Sequence, residues 1–592
     1  MTQFRPDVSI ENVMTHVTHM QQHFPNRKSG DGQDLEAARY VVERMKDYGL
    51  RAELQPFETY DSDIGTSCVK LGGIDGEDIA SLPCLHVEPT PDAGLTVELV
   101  DVGPGGTEDY EGKDVRGKIV LAEVSYAPAT PEKARIAAAN GAAAILLMNW
   151  GRDNSTEIPW RGLKSVWGNP TPESVVEMPL IPGVSISRAD GLRLRGLMAE
   201  GTVTLYLRLT AHREWRRLHQ PVAWLDAPET APQRDQFMVV SAHVDSWNPG
   251  VTDNIAGMSV ILEMARAFAA QKDKLTRSAV FCCWNGHEVA EAAGSTWFVD
   301  SHWEKINRDA VGYLNVDSVG MRNTSVFHVN CSPELQALAH AVTDEVYAER
   351  LPRSVTPLRR VGDQSFFGVG VPAITGRHMF SAEVIREHNG ATLGWYNHTG
   401  FDTLEEVDPA ALAGDLEWNS AALSCFLTEQ TLPYRFADRL ADMKIRFESA
   451  LTNSTQKSGL EVVFFDIARL EPEIAWLDSV LMQTDLPTAP RLIADRAARR
   501  IARQLTFLTS AALGKYGQDS YGSSTLLQPV PLLACLAEYE ATTPGSMEER
   551  LLWTKLIQLR HQLTDAFELA HNAAVDARNL FATVENGETE DG

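Results

Sequence analysis

FMVVSAHVDSWNPGVTDNIAGMSVILEMARAF, residues 237–268, reads as a strand, a turn and a helix. Phe237-Met238-Val239-Val240 has the length and β-branched content of a buried strand, and the run ends at His243-Val244-Asp245. Open α/β sheets keep their chemistry at that C-terminal edge. After a Gly-containing turn come Asp253 and Asn254, and then Ile255, Met258, Leu262 and Ala265 recur at three- and four-residue steps, which predicts a helix that begins with an acid. Imidazole and carboxylate gathered at strand and helix tips suit a borderline cation such as zinc. Asp245, two residues after His243, leaves the strand on the same face and is expected to accept the second imidazole N–H, fixing the ring's tautomer. Alone, HVD fits a satisfied strand-end histidine and Asp253 fits a helix cap, so the metal reading requires further ligands downstream.

Those ligands are present. Ala279–Trp284 is a second buried strand, followed by Asn285-Gly286-His287-Glu288; Val311–Val316 is a third, ending in Asp317. The last of the series, Trp395-Tyr396-Asn397-His398-Thr399, precedes a loop and the acidic run 402–408. Three consecutive strands that each deliver an ionisable residue at the C-terminal tip predict an α/β fold with a mostly parallel central sheet flanked by helices. His243, Asp253, Glu288, Asp317 and His398 are the right set for two divalent ions about 3.5–4 Å apart with one carboxylate bridging.

The flanks carry other textures. From Asp34 to Met45 the apolar residues follow helical steps closed near Gly49, and residues 51–57 alternate like an edge strand in need of a sheet. Residues 61–215 read as an inserted α/β module, with strands at Leu95–Val102, Lys118–Val124, Ala144–Met148 and Thr202–Leu209, a helix at Pro131–Asn140, and a long Gly/Pro-rich loop from Trp150 to Pro182. Trp160, Lys164, Trp167 and Asn169 in that loop suit a substrate lid, and a mobile surface loop fits equally. Residues 1–60 and 216–430 form the discontinuous central domain. Residues 431–592 show helical periodicity at 434–451, 460–482, 491–513 and 548–580, interrupted by a Gly/Ser-rich segment at 514–524, and end in an acidic tail expected to fray.

Composition narrows the function. The 592-residue chain is 44% hydrophobic and 22% charged, which is ordinary for a globular protein of about three to four domains. A net charge of -27 argues against nucleic acid, whose binders carry a basic footprint. No uninterrupted apolar window long enough for a membrane span and no basic-then-apolar leader is seen, so the expectation is a cytoplasmic protein. Seven scattered cysteines with no CxxC pair make both a disulfide framework and a cysteine zinc site unexpected.

The order of the five ligands and the motifs around them, HVDSW with TDN, WNGHE with GSTWF, YLNVDS, GDQSFFGVGVPA and YNHTGFDT, resemble the co-catalytic zinc peptidases of the aminopeptidase family that includes glutamate carboxypeptidase and the transferrin receptor. LVDVG, RGKIVLAEV and EKARIAAANGAAAILL resemble that family's inserted protease-associated domain, and LPYRFADRL onward its helical dimerisation domain. The resemblance implies two metal ions, zinc by analogy, although manganese or iron(II) also suits these donors. It implies that Asp253 bridges both ions, that His243 and Asp317 complete one, and that Glu288 and His398 complete the other. It also implies a homodimer formed through the C-terminal helices.

One departure falls in the site. The family pattern has two consecutive glutamates after the second strand, the first a general base and the second a ligand, where this chain has His287-Glu288. Spacing to Gly294-Ser295 is one residue longer than the family's, and a register that made Val289 the ligand is chemically void, so the extra residue is placed between Val289 and Ala293, with Glu291 a lesser candidate for either role. Imidazole has a pKa near neutrality, and two nearby cations are expected to keep His287 neutral and accepting. An imidazolium beside them is less welcome than a protonated glutamate, so catalysis altered in rate, pH optimum or substrate is expected. Three functions follow: a peptidase acting on short peptides or N-acyl amino acids, an amidase for a specialised metabolite, or a metal-holding silent scaffold. Candidate substrate contacts are Trp167, Asn169, Arg377, Tyr516, Gln518 and Tyr521, the last group reaching across a dimer interface.

Overall fold

In the computed structural model, which describes residues 4–179, 181–247, 249–348, 351–358, 363–452, 454, 458–519 and 529–588, two eight-stranded sheets organise the chain. Strand β1 (Arg51–Asp63) leads into an inserted module whose strands are β2 (Ser67–Leu71), β3 (Glu77–Ile79), β4 (Ser81–Pro83), β5 (Leu95–Asp101), β6 (Ile119–Glu123), β7 (Ala144–Met148), β8 (Gly183–Ile186) and β9 (Thr204–Leu209). The chain then returns through β10 (His212–Leu225), β11 (Phe237–His243), β12 (Ser278–Trp284), β13 (Ala310–Asn315), β14 (Val326–Cys331), β15 (Arg353–Pro357) and β16 (Ala373–Met379). The central sheet has the order β1-β10-β12-β11-β13-β16-β14-β15, and the inserted sheet the order β3-β2-β9-β5-β6-β7-β8-β4. β1 is an edge strand, longer than the alternation at 51–57 indicates. It pairs antiparallel with β10 from Arg51↔Trp224 to Asp63↔His212, so one ribbon carries the chain across both the 60/61 and the 215/216 boundaries.

The centre of the main sheet is parallel: β11 pairs with β12 and with β13 in that sense. Every residue of β11 is buried because helices cover both faces, as a continuous apolar run requires. Met238, Val240 and Ala242 join the larger core on one face, and Phe237 and Val239 pack with Trp284, Phe298 and Phe366 on the other. Parallel alignment brings His243, the loop after Trp284 and the loop after Asn315 to one edge. The predicted helix is Ala256–Ala269, and Asp253 lies just before it in a wider turn, Val251–Ile255. Trp395–Thr399 forms turns rather than a strand, with His398 at a left-handed φ of 62°.

The helices Phe436–Leu451, Val462–Leu481, Thr488–Leu505 and Met547–Glu588 dominate the C-terminal region. They share one apolar core with the central sheet. The buried Arg277–Asp495 pair, at 2.7 Å, and Arg503, which donates to the carbonyls of Ile306, Asn307, Ala310 and Gly370, dock them there. No helix among the described residues is long and apolar enough to cross a membrane.

Candidate metal centre

The five sequence-predicted ligands meet at the C-terminal edge of the main sheet. His243 Nε2 lies 3.0 Å from Asp253 Oδ1 and 3.4 Å from Asp317 Oδ1. His398 Nε2 lies 3.4 Å from Asp253 Oδ2 and 3.2 Å from Glu288 Oε2. The two oxygens of Asp253 therefore face two separate pairs, each with one imidazole and one further carboxylate. The chemistry of this donor set fits a zinc-type ion. Glu288 Oε1 is buried without a hydrogen-bond partner among the described residues, as a ligand atom awaiting a cation would be. None of Asp253, Glu288 and Asp317 is paired with Lys or Arg among the described residues; the imidazoles are their charged neighbours.

The protein's own groups set these protonation states. Burial works against a charged His243, but bonds to Asp253 and Asp317 prevail and hold its pKa well above the ordinary value. Burial likewise opposes ionisation of Asp253, and the two imidazoles overcome it, holding the carboxyl well below the usual range. Protons on the ring nitrogens thus occupy the place where a cation would bring positive charge.

Asp245 does different work from the expected one. His243 Nδ1 meets the main-chain oxygen of Asp245 at 2.8 Å, not its carboxylate. The carboxylate instead accepts the main-chain N–H groups of His287 and Glu288, each at 3.0 Å, and so fixes the loop after β12. Burial pushes Asp245 up to about 7. Other supports were not read from the sequence. Asp402 accepts the N–H groups of Thr252 and Asp253, Asn397 Nδ2 donates to Asp253 Oδ2 at 2.8 Å, and Trp247 Nε1 donates to Glu288 Oε2 at 3.0 Å. Arg27 is fully buried and donates to the carbonyls of Val244, Pro249 and Gly250, shaping the turn that follows His243.

His287 stacks on His243 with ring centroids 3.9 Å apart, and its Nδ1 bonds Asp363 Oδ2 at 2.8 Å. Asp363, another residue the sequence reading did not single out, is fully buried and also accepts from Ser295 at 2.9 Å. Burial disfavours charge on His287, yet Asp363 dominates and the ring is pushed up to about 10 by the protein's groups alone. That direction is opposite to the one expected from nearby cations, because the reading from sequence had no carboxylate behind the ring. After Glu288 the chain turns through Glu291 and Ala292, at left-handed φ of 53° and 56°, into the helix Ala293–Ser301.

A cavity of about 620 Å³ opens over the cluster, lined by Asp253, His287, Glu288, Asp317 and His398, by Arg377 on β16, and by Trp150 and Arg161 of the inserted module. Arg377 Nη1 donates to Asp317 O at 2.7 Å. Trp167 and Asn169 do not line it. Trp167 is buried with Nε1 on Ser365 Oγ at 2.8 Å, and Asn169 ties its loop to Thr59, Tyr60 and Glu58 of β1, so both fasten the long loop rather than meet a ligand. Lys164 does the same through the carbonyls of Tyr60 and Ala290. Tyr516 is 80% exposed against Trp303, and Gln518 Nε2 donates to Ser365 O at 3.1 Å, so neither reaches this cavity within the chain. Tyr521 lies outside the described residues.

A buried imidazole–carboxylate cluster at the tips of parallel strands, roofed by an inserted module, has the chemistry of a metal site at the edge of an α/β sheet. Residues 226–422 match the model for Peptidase family M28 and residues 95–194 that for the PA domain, so the central domain is similar to the M28 peptidases and the inserted module to the PA domain. The chain is 29% identical over 301 residues to aminopeptidase YwaD of Bacillus subtilis, covering 50% of this chain and 58% of that one. It is 25% identical over 374 residues to a probable glutamate carboxypeptidase, VP8, of Zea mays, covering 52% of this chain and 50% of the relative. The chain thus spans about half the length of these relatives. A solved zinc aminopeptidase from Bacillus subtilis shares the fold at a TM-score of 0.55, with 21% identity over 72% of this chain and 97% of that one.

Proposed function

We propose that the protein hydrolyses C–N amide bonds in short peptides or N-acyl amino acids with two divalent ions, zinc in the first instance. The observation that carries this reading is the division of Asp253, Oδ1 toward His243 and Asp317, Oδ2 toward His398 and Glu288. His243 and Asp317 would hold one ion, Glu288 and His398 the other, and Asp253 would serve both. Bound there, such ions supply Lewis-acid polarisation of a carbonyl and lower the pKa of water. The chain's residues do the rest. With cations at the site lowering the pKa of His287, Asp363 would keep the remaining ring proton on Nδ1, and Nε2 would accept a proton from the attacking water and donate it to the leaving amine. Trp247 and Asn397 hold the carboxylates of Glu288 and Asp253 in orientation, and Asp245 holds the main chain that presents His287.

The histidine at the base position favours a second reading, an amidase for a specialised non-peptide metabolite with the same machinery. Assembly as a homodimer through the C-terminal helices belongs to the proposal too, supported by exposed apolar side chains there such as Ile445, Phe465 and Leu551. The test assays dipeptides, N-acyl amino acids and non-peptide amides with the metal-loaded protein and with His287→Ala. The expected result is turnover lost in the variant with its metal retained. Wild-type rate in the variant removes the role given to His287; cleavage of non-peptide amides alone selects the second reading. Bound metal with no turnover of any amide leaves the silent scaffold.

A further inference from the structure

The two pairs of side chains around Asp253 are steadied from different parts of the molecule. Beside His243 and Asp317 the supports come from the central domain: His243 Nδ1 meets Asp245 O at 2.8 Å, and Arg377 Nη1 donates to Asp317 O at 2.7 Å. Beside Glu288 and His398 the inserted module arrives. Trp160 N–H donates to His398 O at 2.8 Å, and Arg161 Nη1 lies 3.2 Å from His398 Nδ1. Gly162 passes so close that a Cβ there would meet Glu288 O at 3.0 Å, inside ordinary van der Waals contact. Three consecutive residues of the long loop thus reach both partners of one half-site.

The ring of Trp160 adds to this through Trp247. The two indoles are nearly parallel, with centroids 5.9 Å apart and 7° between their planes, an offset stack. Trp247 in turn donates Nε1–H to Glu288 Oε2 at 3.0 Å, and its ring lies 6.1 Å from that of His398. Leu85 and Val289 complete the apolar cluster around the pair. Main-chain bonds fix the segment on the module's side, Leu85 N–H to Arg161 O and Leu163 N–H to Leu85 O, each at 3.0 Å. An indole free to tilt would lose its bond to the carboxylate, and bonds of this kind are what orient a ligating carboxylate.

We propose that Trp160 is a positioning residue for the ion of the Glu288 and His398 half-site: stacked on Trp247, it fixes the indole N–H on Glu288, so that the inserted module governs one half of the metal centre and the central domain the other. This rests on the two-ion reading and divides the centre which that reading describes. In place of the lid expected at Trp160, the loop is a fixed brace.

Metal affinity tests this without turnover. Metal-stripped full-length protein is titrated with zinc against a competing chelator, and ions per chain are counted by mass spectrometry. Trp160→Leu, which fills space without a ring, is expected to weaken one ion about 10- to 100-fold, the range for partners of a metal ligand, and to leave the other unchanged. Trp160→Phe keeps a ring on Trp247 and binds both ions as the wild type does. In His398→Ala, which gives up the braced half-site, adding Trp160→Leu leaves the affinity of the remaining ion where it was. Trp215→Ala, at an exposed indole of β10, controls for loss of a tryptophan, and circular dichroism for folding. Equal weakening of both ions, a change below about 10-fold, an equal effect of Trp215→Ala, or a phenylalanine variant no better than the leucine one overturns the proposal. A wild type that takes up a single ion fails the two-ion reading instead; the brace then stands or falls on whether Trp160→Leu weakens that ion and Trp160→Phe does not.

Discussion

The two sheets of this molecule share a parallel core and differ in how they treat charge at their strand ends. In the inserted sheet Glu123, at the end of β6, is met by Arg188 at 3.3 Å and by Arg195, which also holds Asp101 at the end of β5 at 2.8 Å. In the central sheet Asp253, Glu288 and Asp317 gather around two imidazoles with no guanidinium among the described residues paired to them. The nearby arginines turn away from these carboxylates, Arg27 to carbonyls and Arg161 to His398. A strand edge becomes a metal site when the protein leaves its carboxylates for a cation to balance; the same edge with matched guanidiniums is only structure.

Exchanging one carboxylate in each sheet breaks the comparison most sharply. Asp253→Asn faces both half-sites and is expected to lower metal content and to cut kcat/KM by more than the roughly 100-fold that losing a supporting partner costs. Glu123→Gln leaves the buried Arg188 and the half-buried Arg195 short of charge, costing about 3 kcal/mol of stability by denaturant titration, with metal content intact. Asp245→Asn is the next smaller change. An amide keeps one carbonyl oxygen for the two N–H groups of residues 287 and 288, and a 10- to 100-fold fall in metal affinity or turnover is expected, on the order of other second-layer partners. Unchanged kinetics would show that the loop holds itself.

His16 sharpens the comparison from the other side. It is buried, though less completely than His243, and bonds the hydroxyls of Tyr40 and Tyr48, and burial lowers its pKa from 6.5 to about 4. A folded pKa below the unfolded value means that its contribution to stability is present above pH 6.5 and is lost as pH falls through about 4. Between pH 7 and pH 5.5 thermal and denaturant unfolding should therefore show the wild type losing about 1 kcal/mol more than His16→Gln. Equal losses would mean that the ring is already charged or exposed.

Much of the central sheet was legible because its strands are continuous apolar runs that end in ionisable residues, and the parallel register then forces His243, Glu288 and Asp317 together. The helical C-terminal region was legible from periodicity. What sequence did not reveal depends on meetings between distant residues: Asp363 with His287, Arg27 with the 244–250 turn, Asp402 with residues 252 and 253. A lone Asp or Arg carries no local pattern that names its partner. Asp245 was misread because a side chain two residues from a histidine has two candidates, the ring and the passing loop, and only the tertiary path of residues 287–288 decides. Trp167 and Asn169 looked like ligand contacts in a long loop, whereas Ser365 and β1 take up their polar atoms; Arg161, in the same loop, was passed over.

The central claim, a two-metal site bridged by Asp253, is tested most directly by counting metal. Protein stripped of metal and reconstituted with zinc is analysed by mass spectrometry for ions per chain while amide hydrolysis is followed across the titration. Two equivalents per chain, with activity maximal at the second, is the expected result; a plateau at one equivalent, with no further gain at the second, would contradict it.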